Sequence, residues 1–466
     1  ASLVGSEMCI RDRIYKPFDN LVMAVTLKED GSTDKKVLGS LTEAVKAQSS
    51  VDAEWSRLKK IFASPQLQMV SFTITEKGYA LRDAKGEYFP FIRSDIDNGP
   101  DKASSAMAVV SALLYERFNT CKAPLAVVSM DNCSHNGEKL RNSITDMVGE
   151  WQKKGFVSED FVQYVNDENT ISFPWSMIDK ITPRPADTVA ESLKEAGVED
   201  MGPVITSKRT YIAPFVNAEG PQYLVIEDRF PNGRPQLEKA GVYMTDRDTV
   251  NKVERMKVTT CLNPLHTALA VYGCVLGYDL IADEMKDKEL SELVKRIGLV
   301  EGMPVVTNPG IIDPEKFADE VINVRIPNPF MPDTPQRIAT DTSQKVGIRY
   351  GETIKSYVAK DGSARALTAI PLAIAGWCRY LLGIDDNGEA FELSPDPMAD
   401  ELKCQLDGIV WGESSSYTGQ LKNLLSNANI FGINLYEAGI GDKIEEMFVE
   451  EISGKGAIRE TLKKYL

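Results

Sequence analysis

The sequence predicts an α/β domain followed by a mostly helical domain. Its 466 residues are too many for one ordinary hydrophobic core, so two domains are the default. Short β-rich apolar runs alternate with amphipathic helical stretches early in the chain, whereas later apolar residues recur every three to four positions. Prolines punctuate the segment that ends in ITPRP, and we therefore expect domains at 14–183 and 184–466.

The first thirteen residues, ASLVGSEMCIRDR, do not fit this pattern. They lack the apolar core of a signal peptide and show no helical or strand periodicity. They resemble translated sequencing-adapter sequence. We therefore treat residues 1–13 as a non-native segment and leave them out of the fold prediction.

Strands and helices are expected to alternate from residue 14 onward. The expected strands are 21–27 and 36–41 around a turn at 29–32, then 69–75, 125–130, 211–217 and 223–227. The expected helices of this part are 52–62, 102–118 and 141–154. The helical domain is expected to contain helices at 268–284, 289–300, 314–323, 366–382, 421–431 and 443–466.

The composition excludes several classes of function. With 43% hydrophobic and 26% charged residues the chain is typical of a globular protein, and no apolar run approaches the roughly 20 residues of a membrane span. A net charge of −15 argues against binding to nucleic acid. Seven scattered cysteines indicate reduced thiols in the cytoplasm. The two histidines, His135 and His266, have no cysteine at a ligand spacing, so no metal site is expected.

The stretch MKVTTCLNPLHTALA, residues 256–270, carries the most distinctive polar side chains. Asn263 and His266 are three apart and share a helix face, and Glu254 and Lys257 form a second such pair. An amine, an amide and an imidazole that face one cavity can accept an alcohol proton and stabilise the remaining oxygen. The alternative is a capped helix with a hydrogen-bonded core histidine, and spacing alone does not decide.

Polar residues also follow the predicted parallel strands. Ligands of open parallel sheets bind beyond the carboxyl ends of the strands, which makes Thr75 and Glu76 candidate cofactor neighbours or simply turn residues. Asp179 sits where another strand should end, and its carboxylate either orients a ligand or caps a turn.

A basic group lies in the segment PQRIATDTSQKVGIRYG, where Arg337, Lys345 and Arg349 converge in an otherwise acidic protein. Asp341 or Thr342 could cap a helix there, whose free N–H groups would favour an anion. The alternative is a solvated basic surface.

These segments together resemble the long-chain mannitol dehydrogenase family. KVTTCLNPLHTALA is similar to its Lys, Asn, His signature, and four further segments match elements of the family. These segments are TEKGY after the strand 69–75, MDN followed by NG near residues 130–137, FPWSMIDKITP before residue 184, and VIEDRFPNGRP at 225–235.

The resemblance implies a Rossmann-type dinucleotide-binding domain and an NAD-dependent oxidoreductase that uses no metal. Its branch of the family interconverts D-mannonate and D-fructuronate in hexuronate breakdown. It implies that Lys257 is the general base, that Asn263 and His266 stabilise the oxyanion, and that Glu254 relays the proton. A base that works near neutral pH needs its pKa lowered by burial or by a neighbouring positive charge.

The resemblance also implies the binding residues. The substrate-binding residues are Asn136, Arg337, Lys345 and Arg349, and the cofactor neighbours are Thr75, Glu76, Asn132 and Asp179. A small sugar acid is the expected partner, and the oligomeric state is not predicted.

Two departures from the family pattern matter. Lys257 lies six residues before Asn263 instead of five, so on an ideal helix it would point roughly 180° from His266. Either the turn contains a bulge or Lys257 is not the base. No GxGxxG occurs, and the nearest pattern, EAGIGDK, is typical of a turn that ends a helix.

We therefore expect an incomplete Rossmann-type domain that lacks its first βαβ unit and binds NAD poorly or not at all. Tagaturonate reductase and mannitol 2-dehydrogenase activities would use the same catalytic group. An inactive remnant that binds a sugar acid is the alternative outside the enzyme class.

Overall fold

The computed structural model describes residues 2–4, 15–28, 30–83, 85–205, 211–331 and 333–466. Two compact units are present: the first comprises residues 1–28 and 32–251, and the second comprises residues 29–31 and 252–466. The first unit thus continues past residue 183, the boundary expected from the prolines, because strands on both sides of that residue pair with each other.

The strands of the described residues all belong to the first unit. Within the described residues they are β1 Ser2–Val4, β2 Val22–Leu27, β3 Thr33–Leu38, β4 Ala44–Lys46, β5 Met69–Phe72, β6 Leu125–Ser129, β7 Ile171–Ser172, β8 Ser176–Asp179, β9 Val204–Ile205, β10 Tyr211–Ile212, β11 Phe215–Glu219, β12 Tyr223–Glu227 and β13 Tyr243–Thr245. Of the segment 1–13, residues 2–4 form β1, which pairs in parallel with β4, and the rest lies outside the described residues.

A parallel sheet in the order β5, β6, β7 forms the centre of the first unit. Its middle strand, β6, is buried along its whole length, as a strand covered on both faces should be. The predicted hairpin is confirmed, since β2 pairs with β3 in antiparallel register. β11 adds to β2 in parallel, and β12 lies between β8 and β13.

Helices alternate with the strands of the first unit. They are α1 Asp52–Phe62, α2 Pro90–Asn98, α3 Ala106–Thr120, α4 Asn136–Lys153, α5 Glu159–Asn166 and α6 Asp187–Glu195, and α7 Arg247–Met256 spans the boundary between the units. In α1 the buried residues are Trp55, Leu58 and Phe62, one face of an amphipathic helix. Trp151 of α4 is fully buried and donates its indole N–H to the carbonyl oxygen of Asp95 at 2.9 Å.

The second unit is helical. Its α-helices are α8 Asn263–Leu276, α9 Ile281–Glu284, α10 Lys288–Lys295, α11 Pro314–Glu320, α12 Pro335–Ile338, α13 Glu352–Asp361, α14 Ala369–Tyr380, α15 Ala399–Gln405, α16 Lys422–Leu425, α17 Ala428–Phe431, α18 Gly441–Glu451 and α19 Ala457–Tyr465. Four π-helical turns interrupt it: π1 Lys257–Cys261, π2 Arg296–Gly302, π3 Val321–Arg325 and π4 Gly347–Gly351.

The helix expected at 268–284 is shorter at its C-terminal end than predicted. Gly277 adopts a left-handed conformation (φ +78°), and its N–H bonds to the carbonyl oxygens of Gly273 and Cys274, which ends α8. The helices expected at 421–431 and 443–466 are likewise each divided in two. Among the described residues, no helix combines the length and the apolar character needed to cross a lipid bilayer.

Candidate active site

The π-helical turn π1 places Lys257 just before helix α8. The N–H of Leu262 bonds to the carbonyl oxygen of Lys257 at 3.1 Å, a bond that spans five residues instead of four. Leu262 then leaves helical geometry (φ −133°, ψ −61°), and Asn263 begins α8 with Pro264 in its first turn. The bulge required by the unusual spacing is therefore present. The role of Lys257 as the base remains a prediction.

Other π-helical turns of the second unit pack around π1. Lys257 is only 3% exposed. Thr353 of α13 donates to the carbonyl oxygen of Thr259 at 3.2 Å. At Gly302, the last residue of π2, a Cβ atom would lie 2.6 Å from a methyl carbon of Thr260, so only glycine fits. Tyr350 of π4 donates to the carbonyl oxygen of Pro264 at 2.9 Å, and the buried Lys257 turn is thus packed from several sides.

His266 is neutral at physiological pH. Its pKa is lowered to about 4, mainly by burial; the negative charge of Asp333 opposes this shift, and the positive charges of Arg325, Arg349 and Arg337 add to it. A neutral imidazole can donate one N–H to an oxygen atom. Arg337 and Arg349 are thus near enough for their charges to affect the pKa of His266.

The three predicted basic side chains differ in their partners. Arg337 is 67% exposed and forms a bidentate pair with Asp333, at 2.7 Å from Nε and 2.5 Å from Nη2. Lys345 donates from Nζ to the carbonyl oxygen of Thr340 at 2.5 Å, and burial and the nearby Arg349 lower its pKa. Arg349 donates to the hydroxyl of Thr267, the residue that follows His266.

The anion site expected at a helix start near Ser343 is not formed. Thr342–Gln344 is a single 3₁₀ turn, and neither Asp341 nor Thr342 caps a following α-helix there. The N–H of Ser343 bonds to a carboxylate oxygen of Asp396 at 2.8 Å, and its hydroxyl bonds to the other oxygen at 2.5 Å. An acidic side chain of the protein therefore already occupies these donors.

In the first unit, Asp131 holds together the carboxyl ends of β5 and β6. Its carboxylate accepts the N–H groups of Ile74 at 2.9 Å and Thr75 at 2.8 Å, and the hydroxyl of Tyr79 at 2.5 Å. Thr75 adopts a positive φ of 64°, a conformation that side chains other than glycine rarely tolerate. These bonds fix an unusual backbone shape at the strand end where ligands of parallel sheets bind.

A cleft of about 410 Å³ opens at this strand end. It is lined by Glu76, Tyr79, Ala80, Leu81, Arg82, Lys139, Asn142, Ser143 and Asp146. Glu76 is exposed and forms an ion pair with Lys139. Of the two predicted residues here, Thr75 therefore supplies fixed backbone and Glu76 supplies an accessible carboxylate.

Asn136 is completely buried, and its side-chain amide forms hydrogen bonds to other residues of the first unit. The amide nitrogen donates to the carbonyl oxygen of Asp131 at 3.0 Å and to the carbonyl and hydroxyl oxygens of Ser176 at 2.9 Å. Its amide oxygen accepts the N–H of Ser176 at 3.0 Å. Both amide hydrogens are thus engaged, so the contacts of Asn136 favour a role in joining β8 to β6 over direct contact with substrate.

Asn132 and Asp179 differ in their accessibility. Asn132 is exposed in the loop after β6, whereas Asp179 is 3% exposed at the end of β8. His135 adopts a left-handed conformation before α4, and its ring lies 4.4 Å from that of Trp175.

Comparison with known proteins places the chain in a family. Residues 19–239 match the family model of the mannitol dehydrogenase Rossmann domain, and residues 249–451 match that of the mannitol dehydrogenase C-terminal domain.

The chain belongs to the mannitol dehydrogenase family. A D-mannonate oxidoreductase of Thermotoga maritima is 54% identical to it over 456 residues, which are 97% of this chain and 84% of that protein. A D-mannonate oxidoreductase of Escherichia coli is 30% identical and covers 86% of this chain, and the match covers 76% of that protein.

Two solved dehydrogenase structures share the fold. Substrate-free D-sorbitol dehydrogenase superposes with a TM-score of 0.75 at 26% identity, covering 96% of this chain and 87% of that one. Mannitol 2-dehydrogenase of Pseudomonas fluorescens, in a ternary complex with NAD and D-mannitol, gives 0.68 at 25% identity, covering 98% and 86%. The expected class, a Rossmann-type domain followed by a helical domain in a dehydrogenase, is confirmed.

The mannitol dehydrogenase resemblance did not identify every polar residue of these regions. No role was predicted for Asp131, although its carboxylate holds the backbone of Thr75. Asp333, Arg325 and Thr267 were not predicted, because each acts through contacts between segments far apart in sequence. The one available signal was the position of Thr267 directly after His266.

Proposed function

We propose that this member of the mannitol dehydrogenase family interconverts D-mannonate and D-fructuronate with NAD. The observation that carries the proposal is the high identity, along nearly the whole chain, to the D-mannonate oxidoreductase of Thermotoga maritima. A group of basic side chains near His266 fits the negative charge of such a sugar acid.

The first unit has features that suit a dinucleotide. The clamped backbone at Thr75 and the cleft beside Glu76 lie at the carboxyl ends of parallel strands. Thr75, Glu76, Asn132 and Asp179 would contact NAD, although no glycine-rich GxGxxG turn is available to cradle its phosphates. NAD supplies the hydride acceptor when it is bound.

The second unit supplies the proton chemistry in this proposal. Lys257 accepts the proton of the substrate hydroxyl during oxidation and returns it during reduction. Asn263 and the neutral His266 donate hydrogen bonds to the oxygen on which negative charge develops. Glu254, one turn before Lys257, passes the proton onward.

Substrate hydroxyl groups are held by Arg337 and Lys345 in this scheme. Asp333 fixes the Arg337 guanidinium through two hydrogen bonds, which orients its remaining N–H groups. The carbonyl oxygen of Thr340 orients the Lys345 ammonium in the same way. Both side chains are therefore set in position before the substrate arrives.

A small sugar acid is the partner we propose, and the cytoplasm is the proposed compartment. Six cysteines lie in the described part of the chain, and all six are free thiols. Free thiols are typical of proteins from reducing compartments.

A substrate panel tests the proposed function. NADH oxidation is measured with D-fructuronate, D-tagaturonate and D-fructose, and we expect the highest kcat/KM with D-fructuronate. A preference for D-tagaturonate or D-fructose would replace the proposed substrate while keeping the enzyme class. If NADH titration detects no binding and no ketone is reduced, the chain is a binding protein or an inactive remnant.

A further inference from the structure

Arg349 differs from the other predicted basic residues because no acidic side chain is seen to neutralise it in the described part of the chain. The guanidinium of Arg337 is neutralised by Asp333, and Lys345 lies close enough to Asp341 and Asp396 to feel their charges. Arg349 donates only to the neutral hydroxyl of Thr267, and in the described part of the chain no carboxylate pairs with it.

The surroundings of Arg349 disfavour its positive charge. Burial lowers the pKa of Arg349 to about 10, so its guanidinium remains charged at neutral pH while much of its hydration is lost. A partly desolvated charge without an opposite charge is unfavourable unless another group or a bound anion compensates it. An anion bound from outside the chain would supply the opposite charge.

The position of Arg349 connects that anion to the candidate active site. Arg349 belongs to π4, and the next residue, Tyr350, is anchored on the carbonyl oxygen of Pro264 in the first turn of α8. Thr267, the contact of Arg349, is the neighbour of His266. The uncompensated guanidinium thus lies beside the helical turn that carries the proposed oxyanion donors.

We propose that Arg349 binds the carboxylate of the substrate and thereby makes the enzyme prefer sugar acids to neutral sugars. The inference rests on the proposed function and assigns one of its specificity determinants. A guanidinium can bind a carboxylate through two parallel hydrogen bonds, a geometry that no hydroxymethyl group can reproduce.

The natural test compares two ketoses that differ at one carbon. D-fructuronate carries a carboxylate at C6, where D-fructose carries a hydroxymethyl group, and the carbonyl that is reduced is the same. The ratio of their kcat/KM values in NADH oxidation therefore isolates recognition of the carboxylate. For Arg349→Gln, which keeps a donor for Thr267 but removes the charge, we expect this ratio to fall about 100-fold.

Two matched variants sharpen the result. Arg349→Lys retains the charge but loses the bidentate geometry, and we expect the ratio to fall about tenfold. Arg337→Gln removes a guanidinium that Asp333 already neutralises, so the ratio should stay within about threefold of the wild type even if both kcat/KM values drop. Circular dichroism and thermal melting establish that each variant is folded before its ratio is compared.

The outcomes separate the inference from the proposed function. An unchanged ratio in whichever Arg349 variant folds, or a large fall in Arg337→Gln alone, overturns the role of Arg349 while the enzyme's function stands. A wild-type protein that does not reduce D-fructuronate at all overturns the proposed function itself.

Discussion

The charge state of His266 depends on where its imidazole lies in the folded protein. His266 is kept neutral mainly by burial, with a contribution from three arginine residues, so its imidazole carries no positive charge at neutral pH. The same arrangement makes the folded state sensitive to acid, since a depressed pKa favours the neutral form only in the folded chain.

The pH dependence of stability tests this assignment. An unfolded histidine titrates near pH 6.5, whereas folded His266 titrates near 4, so between these values the unfolded chain binds more protons. The free energy of unfolding should therefore fall as pH falls from 7 to 5, with a contribution of roughly 1 to 2 kcal/mol from His266.

Chemical denaturation of the wild type and of His266→Gln at pH 7 and pH 5 measures that contribution. The variant should lose less stability between the two pH values than the wild type. Equal losses in both proteins would show that His266 titrates normally.

Lys257 provides a second prediction at the scale of a residue. Replacing it by Met preserves the apolar stem in a buried position and removes the ammonium, so kcat should fall about 100- to 10,000-fold. NADH binding, measured by fluorescence titration, should be unchanged. Lys286→Met, at a lysine that is 71% exposed in the same unit, is the matched control and should retain full activity.

The sequence predicted part of this site and missed the rest for a physical reason. Spacing along one helix predicted that Asn263 and His266 would lie together, because a local pattern determines local geometry. The effects of Asp333 and Arg325 on His266 depend on how separate segments pack. No spacing along the chain encodes that packing.

At the scale of elements, π-helical turns shape the region around Lys257. The π-helical turn π1 accommodates the extra residue between Lys257 and Asn263. Such a bulge was one of the two explanations that the sequence offered for the unusual spacing. The turns π2, π3 and π4 were not anticipated, because their flanking residues continue an ordinary helical pattern of apolar side chains. A π bulge can be inferred from a sequence only when the residue spacing of related proteins is known for comparison.

The contact between π2 and π1 can be disturbed by one methyl group. In Gly302→Ala the new Cβ would lie 2.6 Å from a methyl carbon of Thr260 and 2.9 Å from the carbonyl oxygen of Ile297. We expect a loss of about 1 to 3 kcal/mol in the free energy of unfolding, together with a lower kcat, because π1 must shift.

Gly149→Ala is the matched control for this prediction. Gly149 lies within helix α4, and nothing would contact its added Cβ within 4 Å. Stability should remain or rise by roughly 0.5 to 1 kcal/mol, because alanine is the better helix former. If Gly302→Ala behaves like this control in urea denaturation and in kcat, the two turns do not constrain each other.

At the scale of the whole molecule, the sequence predicted the order of the two domain types: an α/β domain first and a helical domain after it. It placed the boundary too early, because prolines near residue 183 resemble a linker. The strands on either side of them belong together, since β8 pairs with β12 and β2 pairs with β11. Pairing between strands that lie far apart in the sequence produces no pattern in the local sequence of either strand.

The pairing of β2 with β11 also has a consequence for the chain as it leaves the ribosome. β2 is synthesised early but cannot complete its sheet until residues 215–219 have emerged. Until then one edge of the β2–β3 hairpin stays open, and open edges attract other extended chains. Strand β3 places Asp34, Lys35 and Lys36 along this hairpin, and such charges oppose association of nascent chains during the wait.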